Sequence, residues 1–415
     1  MKCVDDLAVV ANKPRLIPSY KQSERRLLSI FMALLDMSPT IRGLFLSRCE
    51  YPSGKSATYQ SYMEVTYNGS KYLEVRPDGL IACNRGKKTW AAFIEAKSEK
   101  SPIRVEQIQE YAKLAEQADV DSTLTISNEF AREPHELPYN LAQNKRRSKK
   151  VFHFAWADIR TFLELEKNSP SLSDAERYVV HQCLEYFWEE SSGIRTYDAM
   201  PESWPAFVEA SSTALGFNSK IKGFSEIIYG WQQERRDLAS KLTHRLQGRV
   251  SLRHVSTGIR SSEDERQRAD KAGLADDYIL TARYFLEKSK TNLDITADLR
   301  ACRISTVLDI TLPENKGAKA IGTWLAKRLT QIPNQQINLV FDWPGHKYDM
   351  ALPAAEFLLE PGIIATERKD APRAVRAVLS RHGVRRFKSR KMFIEDVEQV
   401  TNEMVDLGIA AGWIE

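Results

Sequence analysis

Asp78, Glu95 and Lys97 are the residues whose types and spacing suit phosphodiester chemistry. Two carboxylates can share a hard cation such as Mg²⁺ or Mn²⁺ through oxygen. The ion polarises a phosphate and lowers the pKa of a bound water, and a nearby ammonium orients that water or offsets charge building in the transition state. Glu95-Ala-Lys97 closes the apolar run Thr89-Trp-Ala-Ala-Phe-Ile94, and Asp78 stands between Pro77 and Gly79, which weaken a strand interior and mark a bend or bulge. That context separates it from two other Glu-x-Lys triplets. Glu314-Asn-Lys316 lies in a Pro-Glu-Asn-Lys-Gly loop, and Glu367-Arg-Lys369 follows Asp349 with no simple hairpin pattern between them, so both read as solvated pairs.

The elements that must position the three residues are legible around them. Tyr59 to Tyr67 and Tyr72 to Cys83 are rich in β-branched and aromatic residues and flank Asn68-Gly69, a hairpin signal. Asn84-Arg-Gly86 leads into a third segment from Lys88 to Lys97, completing an antiparallel meander. If that second hairpin turns about Arg85 and Gly86, residues whose numbers sum to about 171 face each other. Asp78 then stands opposite Phe93 and diagonal to Glu95, roughly 7–8 Å away at the backbone. Strand alternation puts Phe93, Glu95 and Lys97 on one face.

Helical spacing predicts a helix over 22–36 with Glu24 in its first turn, and another over 103–117 on which Gln107 and Tyr111 share a face. Strands at 122–127 and 151–154 and helices at 157–166 and 173–190 complete an α/β sandwich with one bent central sheet.

Asp78, Glu95-Ala-Lys97 and Gln107-Ile-Gln-Glu-Tyr111, preceded by a helix carrying Glu24, resemble the PD-(D/E)XK nuclease superfamily. Within it they are most similar to the RecB-like and CRISPR-associated branch, which carries a Q-x-x-x-Y motif on the helix after the catalytic strand. The resemblance covers residues 20 to 190 and implies a restriction-endonuclease-like fold. It implies that Asp78, Glu95 and the main-chain carbonyl of Ala96 bind Mg²⁺ or Mn²⁺, with Glu24 as a further ligand or water-positioning group. Lys97 is then the catalytic lysine, and Gln107 and Tyr111 steady the lysine, the metal waters or a substrate phosphate. The His that some members of that branch place before the Asp has no counterpart here.

Length and composition frame the rest. The chain has 415 residues, 42% of them hydrophobic, enough for two domains with real cores. The expected division is a nuclease-like domain over 1–195 and an α+β domain with an antiparallel sheet over 196–415. In the latter a helix is expected at 224–246, strands at 249–257, 278–286, 292–299, 303–312 and 336–342, and a helix at 317–331. Residues 261–272 read as an exposed loop or short solvated helix. No transmembrane stretch or signal peptide is evident, so the expected location is the cytoplasm. Five scattered cysteines give neither a disulfide framework nor a zinc site.

A net charge of +5 permits a nucleic-acid partner without requiring one. Lys145 to Lys150 reads as a solvated run that could also contact a DNA backbone, and Arg385 to Lys391, with Phe387 inside it, could bind phosphate while the ring stacks on a base. Gly54-Lys-Ser56 is not a P-loop, because Cys49 stands where that motif needs its first glycine. These residues point to a metal-dependent deoxyribonuclease in restriction, phage defence or repair, with DNA as partner and a homodimer through the C-terminal half as a further expectation. Its rivals are a catalytically inactive nucleic-acid-binding module and a stress-response or interaction protein that uses the fold as a scaffold.

Overall fold

The computed structural model describes residues 2–8, 12–49, 51, 57–69, 71–72, 74–99, 101–130, 134–135, 137, 150–212, 223–253, 263–332, 336–345, 350–367 and 370–415. It is a mixed α/β chain of two compact units, Met1–Thr196 and Tyr197–Glu415, each with its own sheet.

The first unit holds β1 (Thr58–Met63), β2 (Gly79–Arg85), β3 (Lys88–Ala96), β4 (Ser122–Ser127) and β5 (Lys150–Ala155), in that spatial order. The first three are antiparallel, and β3, β4 and β5 are parallel. Parallel neighbours need a crossover, and α3 (Val105–Ala118) supplies the one from β3 to β4.

Both faces of this sheet are covered, which is why β2 and β3 read as nearly continuous apolar runs. Alternation sorts the runs into two cores. Leu80, Ala82, Ala91 and Phe93 pack with Tyr111, Leu114 and Ala118 of α3. Ile81, Cys83, Ala92 and Ile94 pack instead with residues of α1 (Ser23–Met37), α2 (Pro39–Leu46), α4 (Trp156–Glu166) and α5 (Asp174–Trp188). Asp78 and Glu95 have the parity of the first set, so the α3 side is where chemistry can be built.

Two details of the meander differ from the sequence expectation. The strands expected to meet at Asn68-Gly69 part earlier, because β1 ends at Met63, which pairs with Gly79. Glu64 then adopts a left-handed φ of 53°, and Tyr67 and Met63 form bridges to Leu7 and Asn12 near the N-terminus. The Glu64 and Val65 N–H groups still donate to the Asp78 and Pro77 carbonyls at 2.9 Å each, and beyond them the N-terminal segment takes over, the Ala8 N–H donating to Thr66 O at 2.8 Å. The second hairpin closes through the two-residue loop Gly86-Lys87, with Gly86 at φ 59°, so Arg85 pairs with Lys88 and Gly79 with Ile94.

In the second unit seven antiparallel strands follow the order β11-β10-β12-β9-β8-β7-β6. They are β6 (Val250–Arg253), β7 (Ile279–Leu286), β8 (Thr291–Asp298), β9 (Arg303–Ile310), β10 (Asn338–Asp342), β11 (Met350–Pro353) and β12 (Ala374–His382). Strict alternation of burial along β7, β8 and β9 marks a sheet with one face on the core. That core includes residues of helices Phe224–Leu246, Ala318–Leu329 and Arg390–Ala410. The polar stretch expected as loop or solvated helix forms the helix Glu263–Ala272. All five cysteines are buried free thiols. Among the described residues, no single helix is long and apolar enough to cross a membrane.

Candidate active site

The hairpin register sets the first feature of the site. With Gly79 paired to Ile94, Asp78 stands level with Glu95, two residues along from its expected place opposite Phe93. The cause is the position of Gly86: as the first loop residue it supplies the positive φ, which moves the centre of the turn by one residue. Gly79 has a separate reason to be glycine, since a Cβ there would lie 2.9 Å from Met32 Sδ of α1. Asp78 is pinned by the Ala96 N–H, which donates to its Oδ2 at 3.0 Å.

Glu95 is fully buried and held from two sides. The Lys97 ammonium donates to its Oε1, and the Tyr111 hydroxyl donates to its Oε2. The Arg76 carbonyl oxygen lies 3.2 Å from the same hydroxyl, and Gln107 Nε2 donates to it at 3.2 Å from one turn earlier on α3. Lys97 Nζ also donates to the Ala96 carbonyl at 3.1 Å and pairs with Glu24 Oε1 at 3.4 Å. The Lys97 backbone is fixed in turn, its N–H donating to Ile126 O and its carbonyl accepting from Trp156 Nε1, both at 2.8 Å.

Glu24, Asp78, Glu95, Ala96, Lys97, Gln107 and Tyr111 thus assemble at one end of the sheet. Among the described residues, however, the three carboxylates do not bring oxygens within 4.8 Å of one another, as Glu234, Asp237 and Glu398 of the second unit do.

Electrostatics follow from this crowding. Burial, and then the charge of Glu95, push the Asp78 carboxyl up to about 8. Burial alone would lower Lys97, but Glu95, Asp78 and Glu24 outweigh it and hold the ammonium above its ordinary value. Burial and the Glu95 charge raise Tyr111, so it remains a phenol and a proton donor. Three carboxylates facing one ammonium leave an excess of negative charge that a proton on Asp78 or a further cation can neutralise.

The donor set suits a hard divalent ion. The ammonium of Lys97 touches Glu95, Glu24 and the Ala96 carbonyl, three of the groups that the resemblance assigns to a metal. A metal bound by those groups requires Lys97 to turn aside.

Other sequence candidates fare differently. Phe387 is buried in the second unit's core, so it is not a stacking platform. Three of the cations around it are engaged within the fold: Arg386 pairs with Asp396 at 2.9 Å, Lys388 pairs with Glu209, and Arg390 Nε donates to the Met200 carbonyl at 2.7 Å. Residues 145–149, 54–56, Asp349 and Lys369 lie outside the described residues.

Sequence reasoning missed a cavity of about 590 Å³ at the head of α1, lined by Lys21, Ser23, Arg25, Arg26, Ser98 and Ser191 along with Glu24. The signal available was the polar run Lys21-Gln-Ser-Glu-Arg-Arg26 ahead of the apolar face. Comparison of the chain with family models, with curated proteins and with solved structures finds no match.

Proposed function

We propose that the first unit is a restriction-endonuclease-like domain and that the protein is a metal-dependent deoxyribonuclease. The observation that carries this reading is the position of Lys97 Nζ, gathered by Glu95, Glu24 and the Ala96 carbonyl with Asp78 alongside. Asp78, Glu95 and the Ala96 carbonyl would hold Mg²⁺ or Mn²⁺, with Glu24 as a further ligand. When bound, the ion supplies Lewis acidity to the phosphate and a lowered pKa to a water.

The chain's own residues do the remainder. Lys97, kept cationic by its neighbours, orients the attacking water and offsets the charge gathering on the phosphate. Tyr111 donates to Glu95 and so aims the other oxygen away from α3, while Gln107 steadies the phenol. Asp78 is fixed through the backbone of Ala96, which couples the two ligating strands. The second unit would target or regulate this domain, or pair two copies of it.

The test is cleavage of plasmid and linear DNA with Mg²⁺, Mn²⁺ or EDTA, comparing the native protein with Lys97→Ala. Metal-dependent cutting that the variant lacks supports the reading, and preference for circular or linear DNA separates endonuclease from exonuclease. DNA bound by both proteins but left intact points to a binding module instead.

A further inference from the structure

We propose that the cavity at the head of α1 holds a backbone phosphate of the nucleic-acid strand, next to the one that Lys97 faces, and contributes affinity without reading sequence. The inference rests on the nuclease reading above and adds to it a subsite and the group that fills the subsite.

Four observations converge on it. The cavity is continuous with the catalytic cluster, because Glu24 lines it while pairing with Lys97 at 3.4 Å, and Ser98, the residue after Lys97, lies in its wall. Its volume of about 590 Å³ exceeds what a single phosphate needs and suits a sugar-phosphate unit.

Its cations are not all neutralised. Arg25 pairs with Glu64 at 2.8 Å, but among the described residues Lys21 and Arg26 have no carboxylate partner, and the Arg26 guanidinium lies 5.9 Å from the Tyr186 ring centre. The first-turn N–H groups of α1 also find no side-chain acceptor at its N-cap, Gln22, so the positive end of a fifteen-residue helix faces the same space.

Two acids share the lining and define where the anion sits. Glu24 is turned towards Lys97, and exposed Glu99 accepts from Ser23 Oγ at 3.0 Å, which leaves the Lys21 and Arg26 side for a phosphate. Among the described residues the lining is polar throughout, with no aromatic or aliphatic wall for a base. Recognition is therefore of charge and hydroxyl geometry, the sequence-independent mode of backbone binding.

The experiment uses the full chain and a labelled 20-mer DNA in EDTA, so that binding is read apart from cutting, across 50 to 200 mM salt. The native protein is compared with Lys21→Ala, Lys21→Glu and Arg26→Gln, each first checked for an unchanged circular dichroism spectrum. The expected result is weaker binding, on the order of tenfold for the charge reversal, with the slope of log affinity against log salt shallower by about 1. In Mg²⁺ the same variants should raise KM and leave kcat within about twofold.

Unchanged affinity and slope in all three variants, from a native protein that cuts DNA, overturn the inference and leave the nuclease reading standing. A native protein that neither binds nor cuts overturns both. A second arm titrates inorganic phosphate: displacement of the oligonucleotide from the native protein, but not from Lys21→Glu, supports a phosphate site that the strand fills. Phosphate that binds the native protein without competing with the oligonucleotide identifies a site for the free anion and overturns the assignment to the strand.

Discussion

Tyr111 donates its hydroxyl proton to a carboxylate oxygen of fully buried Glu95, across the interface between α3 and β3. The contact makes α3 a support for the acid as well as a cover for the sheet. Tyr111→Phe keeps the ring, its edge-on packing with Phe93 and the volume, but leaves Glu95 Oε2 without that donor. A buried acceptor deprived of its partner costs about 1–3 kcal/mol. The variant should therefore melt earlier and lose most of its cleavage rate, while Gln107→Ala, one step further from the acid, should lose less of both. Melting curves and single-turnover rates check the order; equal loss in the two variants would show that Gln107 does more than steady the phenol.

Lys97 bears on stability as well as chemistry. Its ammonium is the charge partner of Glu95, whose side chain is 0% exposed, and Lys97→Ala leaves that carboxylate uncompensated. Breaking a buried pair from one side costs about 3–5 kcal/mol. In EDTA the variant should melt well below the native protein. Mg²⁺ should recover much of the difference, because a divalent ion can take the place the ammonium vacates, and its stabilising effect on the native protein should be smaller. A variant that melts low and does not respond to Mg²⁺ at millimolar concentration would count against metal ligation by Glu95 and Ala96.

The raised Asp78 carboxyl gives a pH signature of defined sign. The folded chain keeps this proton up to about 8, whereas the unfolded chain releases it near 3.8, so between those values the folded state binds more protons. Metal-free stability from this group is thus complete below about pH 4 and is lost progressively as pH rises to about 8. Metal binding must displace the same proton, so affinity for Mg²⁺ should strengthen over that range. Melting temperatures from pH 5 to 8.5 should fall in EDTA, fall less in Mg²⁺, and fall less in Asp78→Asn without metal. A slope unchanged by Asp78→Asn would assign the titration to another group.

Much of this architecture was legible because burial leaves a period in the sequence. The run from Thr89 to Ile94 reads as a strand covered on both faces, and alternation in Ile279–Leu286 and Thr291–Asp298 reads as strands covered on one. That these candidate residues come together was legible for a chemical reason, since Glu95, Ala96 and Lys97 lie at one strand end and Gln107 and Tyr111 on one helix face.

What composition does not encode is the sign of φ in a turn. Gly86 could open or close its loop, and that choice shifted Asp78 by two residues relative to β3. The contact of Lys97 with Glu24 was hidden for a related reason: it joins residues 73 apart that no local pattern links. Phe387 shows the opposite failure. Cations beside an aromatic look like a nucleic-acid surface until their partners are in place: Asp396 for Arg386, and, from far away in the chain, Glu209 for Lys388 and the Met200 carbonyl for Arg390.

The second unit carries a buried acid with consequences of its own. Glu234 is 0% exposed, neither of its carboxylate oxygens has a hydrogen-bond partner, and its neighbours Asp237 and Glu398 share the Lys241 ammonium at 2.6 Å each. Burial, and then the charge of Glu398, raise the Glu234 carboxyl well above its ordinary value, so the folded state holds a proton that the unfolded chain releases near 4.5. The sign is that of Asp78: the stability this group contributes is present in acid and lost as pH rises. Glu234→Met replaces the carboxyl with an apolar side chain of similar length that has no proton to lose. At pH 5 the variant and the native protein should melt within a few degrees of each other, and by pH 8 the variant should be the more stable. Equal melting at both values would mean that Glu234 is neutralised by a cation rather than by a proton, and dialysis against EDTA should then destabilise the native protein alone.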